Sequence, residues 1–290
     1  MSNAIKINVN GTWKDVASSV GTKGSLKLDG NSDYIPTPDH ADFTSIGTGN
    51  ENMTINFFFK FISAPSYPWM AYLFAHNRNI PDQAWVKCFY NYENEHGHLV
   101  FCFYDVGISN FVFPANFHWT LDTNWHHLAI VRTKVNSIDS LWGTYLDGVQ
   151  KAYRLDAYGN LRDCNTNSIF TIGWGKDIYT AYMNGYIDEF SFDDANIFGA
   201  NPQEDLSDVI TVPTAEFAST SDKKTLLHLN TNLTDSTGRH TWTGVGTAQI
   251  DHAIYKDLSG ASSLKVNING VWKTIAGMQI NINGTWKTVF

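Results

Sequence analysis

Short runs of apolar and alternating residues recur along the chain, and turn-forming residues separate them. Each run has the length of a β-strand and is rich in Phe, Tyr, Trp, Ile and Val. The runs cover residues 53–62, 84–90, 99–104, 126–133, 143–146, 169–173 and 185–192. No window sustains a helical period, and the one helix candidate is a short stretch at 202–209. The pattern predicts an antiparallel β-sandwich or barrel.

Asn-Gly and Asp-Gly pairs predict tight hairpins. Asp147-Gly148 separates two strand-like runs, and such a pair suits the positive φ values of a two-residue type I′ turn. Three segments also resemble one another: residues 5–16 (IKINVNGTWKDV), 264–275 (LKVNINGVWKTI) and 278–289 (MQININGTWKTV). Each predicts a strand, an Asn-Gly turn and a second strand that carries Trp-Lys.

The register of these three hairpins stays open at this level. A two-residue loop places Asn8 opposite Trp13, and likewise Asn267 opposite Trp272 and Asn281 opposite Trp286, whereas a three-residue loop moves each Trp to the Ile/Val face. An isolated hairpin is only marginally stable in water. We therefore expect Trp13, Trp272 and Trp286 to mark docking or oligomer contacts; the alternative is a decorated edge without a partner.

Composition and charge narrow the classes of function. The 290 residues are 43% hydrophobic and 14% aromatic, with a formal net charge of −8. Nucleic acid is excluded as a partner, because phosphate recognition uses clustered Lys and Arg and no basic run is present. No signal peptide and no apolar stretch of membrane-spanning length is visible, so membrane insertion is not expected.

The number and spacing of the cysteines predict thiols and not disulfide bonds. Three cysteines without CxxC spacing, Cys88, Cys102 and Cys164, argue against a disulfide framework or a thiolate metal site. Cys88 and Cys102 flank a turn-rich stretch, so a hairpin would bring them near each other. We expect buried free thiols.

Several motifs together resemble the laminin G-like modules of the concanavalin A-like superfamily. They follow the family's order and are, from the start, residues 24–43 (GSLKLDGNSDYIPTPDHADF), 53–61, 124–132 (NWHHLAIVR), 144–149 (TYLDGV) and 184–192 (NGYIDEFSF). Residues 225–251 and 260–266 resemble the part that ordinarily precedes GSLKLDG. The resemblance implies an all-β, antiparallel two-sheet jelly-roll sandwich, circularly permuted, with small hairpins at both termini. We divide the chain into an N-terminal hairpin (1–19), the sandwich (20–262) and two C-terminal hairpins (263–290).

The same combination of module and NGxWK repeats is similar to bacteriophage tail, fibre and capsid-appendage proteins. It implies a virion structural or adhesion protein that displays a glycan- or receptor-binding surface. Its partners would be other virion proteins, itself (a trimer by analogy) and a host glycan or receptor. The alternative is a cellular, extracellular or surface-bound lectin or adhesin, and an endoglucanase-type glycoside hydrolase is a distant third.

Catalytic patterns are missing from the sequence. A glycosidase needs two carboxylates about 5–10 Å apart, yet Asp188-Glu189 and Asp193-Asp194 are adjacent pairs that point to opposite faces of a strand. Glu93 and Glu95 alternate correctly but lie in a hairpin loop. No GxSxG elbow is present, and His126-His127 are interpreted as structural. We therefore predict no enzymatic activity.

Candidate binding residues are aromatic and polar residues in turns. Sugars lie with their C–H faces on aromatic rings while amides, carboxylates and imidazoles bond the hydroxyls. The candidates form three clusters: Tyr67 and Trp69; Tyr92, Asn94, His96 and His98; Tyr179 and Tyr182. No cofactor is expected, with calcium possible at Asp29, Asp33 and Asp147 because loop oxygens are its ligands. For each ring, capping the end of the core is the alternative role.

Overall fold

A computed structural model describes residues 6–9, 12–15, 23–44, 46, 51–65, 69–77, 84–93, 96–105, 110–156, 168–176, 180–258, 265–268, 271–274, 279–282 and 285–288. These residues form one short helix, α1 (Ala41–Thr44), and 22 strands. The strands in chain order are β1 Lys6–Val9, β2 Thr12–Asp15, β3 Ser25–Asp29, β4 Ile35–Thr37, β5 Met53–Phe61, β6 Met70–Asn77, β7 Ala84–Glu93, β8 His96–Asp105, β9 Asn110–His118, β10 His126–Lys134, β11 Ser140–Leu146, β12 Val149–Asp156, β13 Ile169–Ile172, β14 Trp174–Lys176, β15 Thr180–Tyr182, β16 Asn184–Asp193, β17 Lys223–Leu227, β18 Gln249–Asp251, β19 Lys265–Ile268, β20 Val271–Thr274, β21 Gln279–Ile282 and β22 Thr285–Thr288.

Two antiparallel sheets form a jelly-roll sandwich, as the sequence predicts. The larger sheet has eight strands in the order β12-β11-β10-β5-β16-β3-β18, with β17 paired to β16 outside this path. The smaller sheet has six strands in the order β4-β13-β6-β7-β8-β9. No helix in the described part of the chain has the length and apolar character needed to span a membrane.

The core is built from aromatic residues that alternate along the strands. In β5, Phe57, Phe59 and Phe61 belong to the main core cluster, because every second residue of a strand faces the same side. Phe57 meets Phe74 of the other sheet edge to face, with ring centroids 6.0 Å apart. Each fully buried side chain of this size contributes about 1.5–3 kcal/mol relative to an exposed one. A cluster of such rings is therefore enough to fix the two sheets face to face.

The late strands complete the sandwich that the early strands leave open. β17 pairs with β16, opposing Phe190 with Leu227, and β18 pairs with the first strand of the sheet, opposing Leu26 with Ile250. Residues 225–251 thus supply an edge of the same sheet that begins at Ser25. The prediction that these late strands belong to the same sandwich is confirmed, whereas the circular permutation relative to the family stays a prediction.

The hairpin predictions are also confirmed, and their register is the two-residue one. Asn8 is opposite Trp13, and the same pairing recurs at Asn267 and Trp272 and at Asn281 and Trp286. At Asp147-Gly148 both residues have positive φ (51° and 83°), as a type I′ turn requires.

One expectation differs from the structure. Residues 202–209 are not helical: Leu206 has φ 61°, and Asp208 accepts hydrogen bonds from Tyr145 and from the Asn201 amide. These bonds hold the segment against the sheet in an irregular conformation, which overrides a weak helix preference.

Cys88 and Cys102 are buried thiols on the neighbouring strands β7 and β8, as the sequence predicts. Cys88 is opposite Phe101 and Cys102 is opposite Lys87, so the two cysteines are offset by one residue pair and not directly opposed.

The chain divides into two compact units. The first contains Met1–Val212 and Phe217–Lys256, and the second contains Pro213–Glu216 and Asp257–Phe290. Among the described residues, the first unit holds the sandwich and β1-β2, and the second holds the hairpins β19-β20 and β21-β22. The domain boundaries at residues 19 and 262 stay a prediction.

Candidate functional site

An aromatic groove of about 730 Å³ lies at one end of the smaller sheet. Trp69 and Tyr92 stand at its rim, 53% and 41% exposed. Tyr90 is buried and Trp119 is partly buried, and both line the same groove. Exposed rings beside fixed, buried ones are the usual composition of a binding site for a flat apolar face.

Two backbone hydrogen bonds shape this groove. The Tyr92 amide donates to the Trp69 carbonyl, and the Trp119 amide donates to the Gly97 carbonyl, each at 2.9 Å. Gly97 is required here, because a Cβ atom would lie 2.5 Å from the Trp119 carbonyl oxygen and would meet the Tyr90 hydroxyl. The glycine therefore lets the loop that begins at Trp119 approach the sheet.

The indole of Trp119 is held by a cage of rings. Phe59 and Tyr90 meet it edge to face at 5.5 Å and 5.7 Å, and His126 does so at 5.1 Å. Phe61 lies 6.1 Å away. The ring is thus fixed by the core before any ligand arrives, which lowers the entropic cost of binding.

A second, more polar cavity of about 460 Å³ adjoins the groove, and Ala64 and Pro65 line both. Its lining includes Asp29, Asn31, Tyr182 and Asn184. The side-chain amide of Asn184 donates to the Ser63 hydroxyl at 2.8 Å. The two cavities together form one continuous surface, aromatic at one end and polar at the other.

Asp29 keeps its charge in this polar cavity. Its Oδ1 accepts hydrogen bonds of 2.9 Å from the amides of Asn31, Ser32 and Asp33. Burial acts to raise the pKa of Asp29, but these bonds outweigh it and bring the pKa below its ordinary value. The carboxylate therefore both closes its own turn and gives the cavity a negative charge.

The structure brings together three of the predicted ligand residues. Trp69 and Tyr92 line the aromatic groove, and Tyr182 lines the polar cavity. His98 lies beside the groove: its Nδ1 donates to Asn116 Oδ1 at 2.9 Å, and its ring is 4.2 Å from that of His118, a lining residue. The remaining predictions concern Tyr67, Asn94 and Tyr179, which lie outside the described residues, and His96, of which only the backbone is described.

Sequence reasoning missed Tyr90, Trp119 and Asn184. Trp119 lies in the aromatic run FHWT before a turn, a signal of the same kind as the one used for Trp69. Tyr90 reads as a core residue in a strand, and it is indeed buried. Its contribution to the groove depends on the missing side chain of Gly97, which no local pattern reveals.

His126 clamps the loop that carries Trp119. Its Nδ1 lies 2.6 Å from Asp147 Oδ2 and its Nε2 lies 2.9 Å from Asp122 Oδ1. Ionised carboxylates only accept hydrogen bonds, so the arrangement favours the imidazolium form of His126, which donates from both nitrogens. Burial acts to lower the pKa of His126, yet Asp147 and Asp122 raise it above its ordinary value. His127 is buried and neutral, with its pKa lowered to about 4 by burial. Both histidines thus have partners or a buried position within the fold, and their interpretation as structural residues stays a prediction.

The three candidate calcium ligands all have protein partners. Asp29 closes its turn, Asp33 accepts from the amide and hydroxyl of Thr247, and Asp147 accepts from His126 and the His127 amide. These hydrogen bonds explain why carboxylates stand at these three loop positions, and a bound ion is not needed for that explanation. Calcium at these residues stays a prediction.

A different group of metal-type ligands lies beside α1. Ligand atoms of His40, Asp42 and His240 lie within 4.8 Å of one another. Arg239 donates to both oxygens of Asp42 at 2.7 Å, and the Lys224 carbonyl lies 2.9 Å from His240 Nε2. The guanidinium already neutralises the carboxylate, so the group is an ion-paired brace between α1 and the late segment.

The adjacent carboxylates of β16 are bound within the fold. Asp188 accepts from the Lys256 amide, and Glu189 accepts from the Phe217 amide and contacts His228 Nδ1 at 2.8 Å. Asp193 is fully buried and pairs with Lys223 Nζ at 2.9 Å. None of these three carboxylates lines either cavity.

Solved structures give only remote likenesses. The enzymatically active domain of tailspike protein 2 from bacteriophage CBA120 is 12% identical with a TM-score of 0.39, and the match covers 67% of this chain and 27% of that one. The binding domain of botulinum neurotoxin DC, in complex with SialylT, is 12% identical with a TM-score of 0.33, covering 67% and 47%. Alginate lyase from Alteromonas sp. 272 is 7% identical with a TM-score of 0.30, covering 78% and 93%.

The chain thus spans between 27% and 47% of the length of the tailspike and toxin chains. None of the curated proteins compared with it matches. A sequence model of the laminin G-like family, described as the concanavalin A-like lectin/glucanases superfamily, matches residues 29–195, which is more than half of the chain. Together with the two-sheet jelly roll, this match establishes that the chain belongs to the concanavalin A-like lectin/glucanases superfamily.

Proposed function

We propose that this chain is a non-catalytic binding protein whose groove receives a glycan or a glycosylated receptor. The observation that carries the proposal is the juxtaposition of exposed Trp69 and Tyr92 with the fixed ring of Trp119. Stacking on such rings and hydrogen bonding to polar groups beside them is how proteins recognise sugars. Amide and hydroxyl groups in the adjoining polar cavity supply the second requirement.

A matched pair of variants tests this proposal. Tyr92→Ala removes a ring that is 41% exposed at the rim, whereas Tyr255→Ala removes a ring that is 37% exposed and lines neither cavity. On a glycan array, the unaltered protein should bind at least one oligosaccharide, Tyr92→Ala should bind it at least tenfold more weakly and Tyr255→Ala equally well. Equal loss in both variants, or no loss in either, contradicts the groove as the site.

Absence of catalysis is part of the proposal. Glycoside hydrolysis uses two carboxyl groups about 5–10 Å apart, and Asp29 is the one carboxylate among the described residues that line the two cavities. The distant alternative, an endoglucanase-type hydrolase, predicts reducing-sugar release from a polysaccharide. Such release at a rate that depends on Asp29 would refute the non-catalytic assignment.

We further propose that the protein is a virion component, a tail fibre or capsid appendage, with Trp13, Trp272 and Trp286 in contacts to itself or to other virion proteins. Support comes from the three hairpins of identical register in the same chain as a lectin-like sandwich. A cellular lectin or adhesin at the cell surface is the alternative. Mass spectrometry of purified particles distinguishes them: the polypeptide is found in virions in the first case and in the host's surface fraction in the second.

A further inference from the structure

A site that binds acidic sugars carries positive charge, whereas the polar cavity carries the negative charge of Asp29. We propose, on the basis of the carbohydrate-binding function above, that the groove and the polar cavity select neutral oligosaccharides of two or more units and exclude acidic ones. Their volumes, about 730 Å³ and 460 Å³, lie in the ordinary range of ligand sites, and their shared wall at Ala64 and Pro65 makes one extended surface. One sugar unit stacks at the aromatic end while the next reaches the polar end.

Lysine and arginine are missing from the described residues that line the two cavities. The one imidazole among them is that of His118, at the aromatic end. Lys60, which precedes Phe61 in β5, lines neither cavity, and its ammonium donates to the Thr123 carbonyl. Proteins bind the carboxylate of an acidic ligand through Arg or Lys, so the group that an acidic sugar needs is lacking here.

Negative charge is present instead. Asp29 lines the polar cavity and stays ionised, because three amides hold its carboxylate. Bringing a second carboxylate into this cavity places like charges together without a cation between them, which is unfavourable. The net charge of −8 adds a repulsive field for every anionic glycan.

Neutral groups complete the recognition surface. Asn31, Thr180, Tyr182 and Asn184 offer amides and hydroxyls, which pair with sugar hydroxyls without any charge. A neutral sugar therefore finds partners at both ends, aromatic faces at one and uncharged polar groups at the other. Selectivity follows from the charge of the site alone.

Matched sugars provide the test. We would measure binding by calorimetry at low salt with pairs that differ only in acidic groups, such as lactose against 3′-sialyllactose and galactan oligomers against galacturonan oligomers. Neutral members should bind at least tenfold more tightly than their acidic partners, and 0.5 M NaCl should narrow the difference. Equal or tighter binding of acidic members overturns the inference and leaves the carbohydrate function intact. No binding of either class overturns both.

A charge-gain variant locates the selectivity. Asn31→Lys places an ammonium in the polar cavity and should shift the preference toward the acidic member of a pair by at least fivefold. Asn201→Lys adds the same charge at an exposed residue that lines neither cavity, and should leave the preference unchanged. The same shift in both variants, or none in Asn31→Lys, contradicts the polar cavity as the source of selectivity.

Discussion

The backbone amide of Tyr92 donates a hydrogen bond of 2.9 Å to the carbonyl of Trp69, and this bond joins the two exposed rings at the rim of the groove. The backbone of Trp69 is in the left-handed region, with φ 58°. A bulky residue in that region costs on the order of 1–2 kcal/mol. Trp69 therefore has a strained backbone although about half of its side chain is exposed, and this combination suits a functional role.

Replacing Trp69 tests its contribution to stability and its contribution to binding separately. We predict that Trp69→Gly keeps or raises the free energy of unfolding, by up to about 1 kcal/mol, because glycine accepts positive φ at no steric cost. The same variant should bind the neutral oligosaccharide at least tenfold more weakly. Denaturant unfolding and calorimetry measure both quantities.

Leu206→Gly is the matched control, since Leu206 has φ 61° and is 40% exposed but lines neither cavity. It should relieve the backbone equally and leave binding unchanged. A large loss of stability in Trp69→Gly would mean that the indole holds the fold instead.

Gly97 is predicted to be the most sensitive backbone position of the groove. A Cβ atom there would lie 2.5 Å from the Trp119 carbonyl oxygen, so Gly97→Ala should push the loop outward and destabilise the protein by about 1–3 kcal/mol. Thermal unfolding and Trp fluorescence would measure the change. In Gly244→Ala, the nearest atom is 3.1 Å away and a much smaller effect is expected. Equal effects in the two variants would contradict the close-approach argument.

The clamp at His126 predicts a pH dependence on the alkaline side. Since Asp147 and Asp122 raise the pKa of His126 above its unfolded value, its contribution to stability is complete below the unfolded pKa and is lost as pH rises through the folded pKa. The lowered pKa values of Asp122 and Asp147 preserve the clamp down to acidic pH. Binding in the groove should therefore weaken as the pH rises above about 6.5, the ordinary pKa of histidine, and through the raised pKa of His126.

His126→Gln tests the source of this dependence. It should bind less tightly at pH 6 and lose most of the alkaline change, because glutamine does not titrate. An unchanged pH profile in the variant would exclude His126 as its cause.

The buried pair of Lys223 and Asp193 should dominate the charge contribution to stability. Their side chains are 4% and 0% exposed. Lys223→Met leaves the buried Asp193 carboxylate without its counter-charge, although the Ser191 hydroxyl still donates to it, and such a loss typically costs about 3–5 kcal/mol. Lys134→Met breaks a pair that is 38% and 71% exposed and should cost less than about 1 kcal/mol. Similar losses, measured by denaturant unfolding at pH 7, would show that burial does not separate the two pairs.

The terminal hairpins are predicted to drive self-association. Deleting residues 263–290 should lower the number of chains per particle calculated from light scattering, because it removes Trp272 and Trp286 together with their strands. Replacing Trp272 and Trp286 with Thr is a milder change that keeps strand propensity. An unchanged number of chains per particle in both variants would assign the hairpins another role.

Local pattern predicted much of the fold, but the site only in part. The Asn-Gly and Asp-Gly pairs determined hairpin positions because turn chemistry acts within a few residues. Trp69, Tyr92 and Tyr182, which line the two cavities, could be proposed as ligand residues because aromatic residues beside turns are visible in the sequence. Tyr90 and Trp119 meet only through the register of β7 with β8 and the bare Cα of Gly97. That register is a tertiary property, as is the irregular conformation of residues 202–209.

The pairing of β18 with β3 has a consequence for biosynthesis. Ser25 bonds to the carbonyl of Ile254, a partner 229 positions further along the chain. On a nascent polypeptide, β3 therefore pairs with β16 on one edge while its other edge stays unpaired until nearly the whole sandwich has been translated. During that interval the exposed edge is open to pairing with neighbouring chains, and a chaperone that shields it would raise the yield of correctly folded protein.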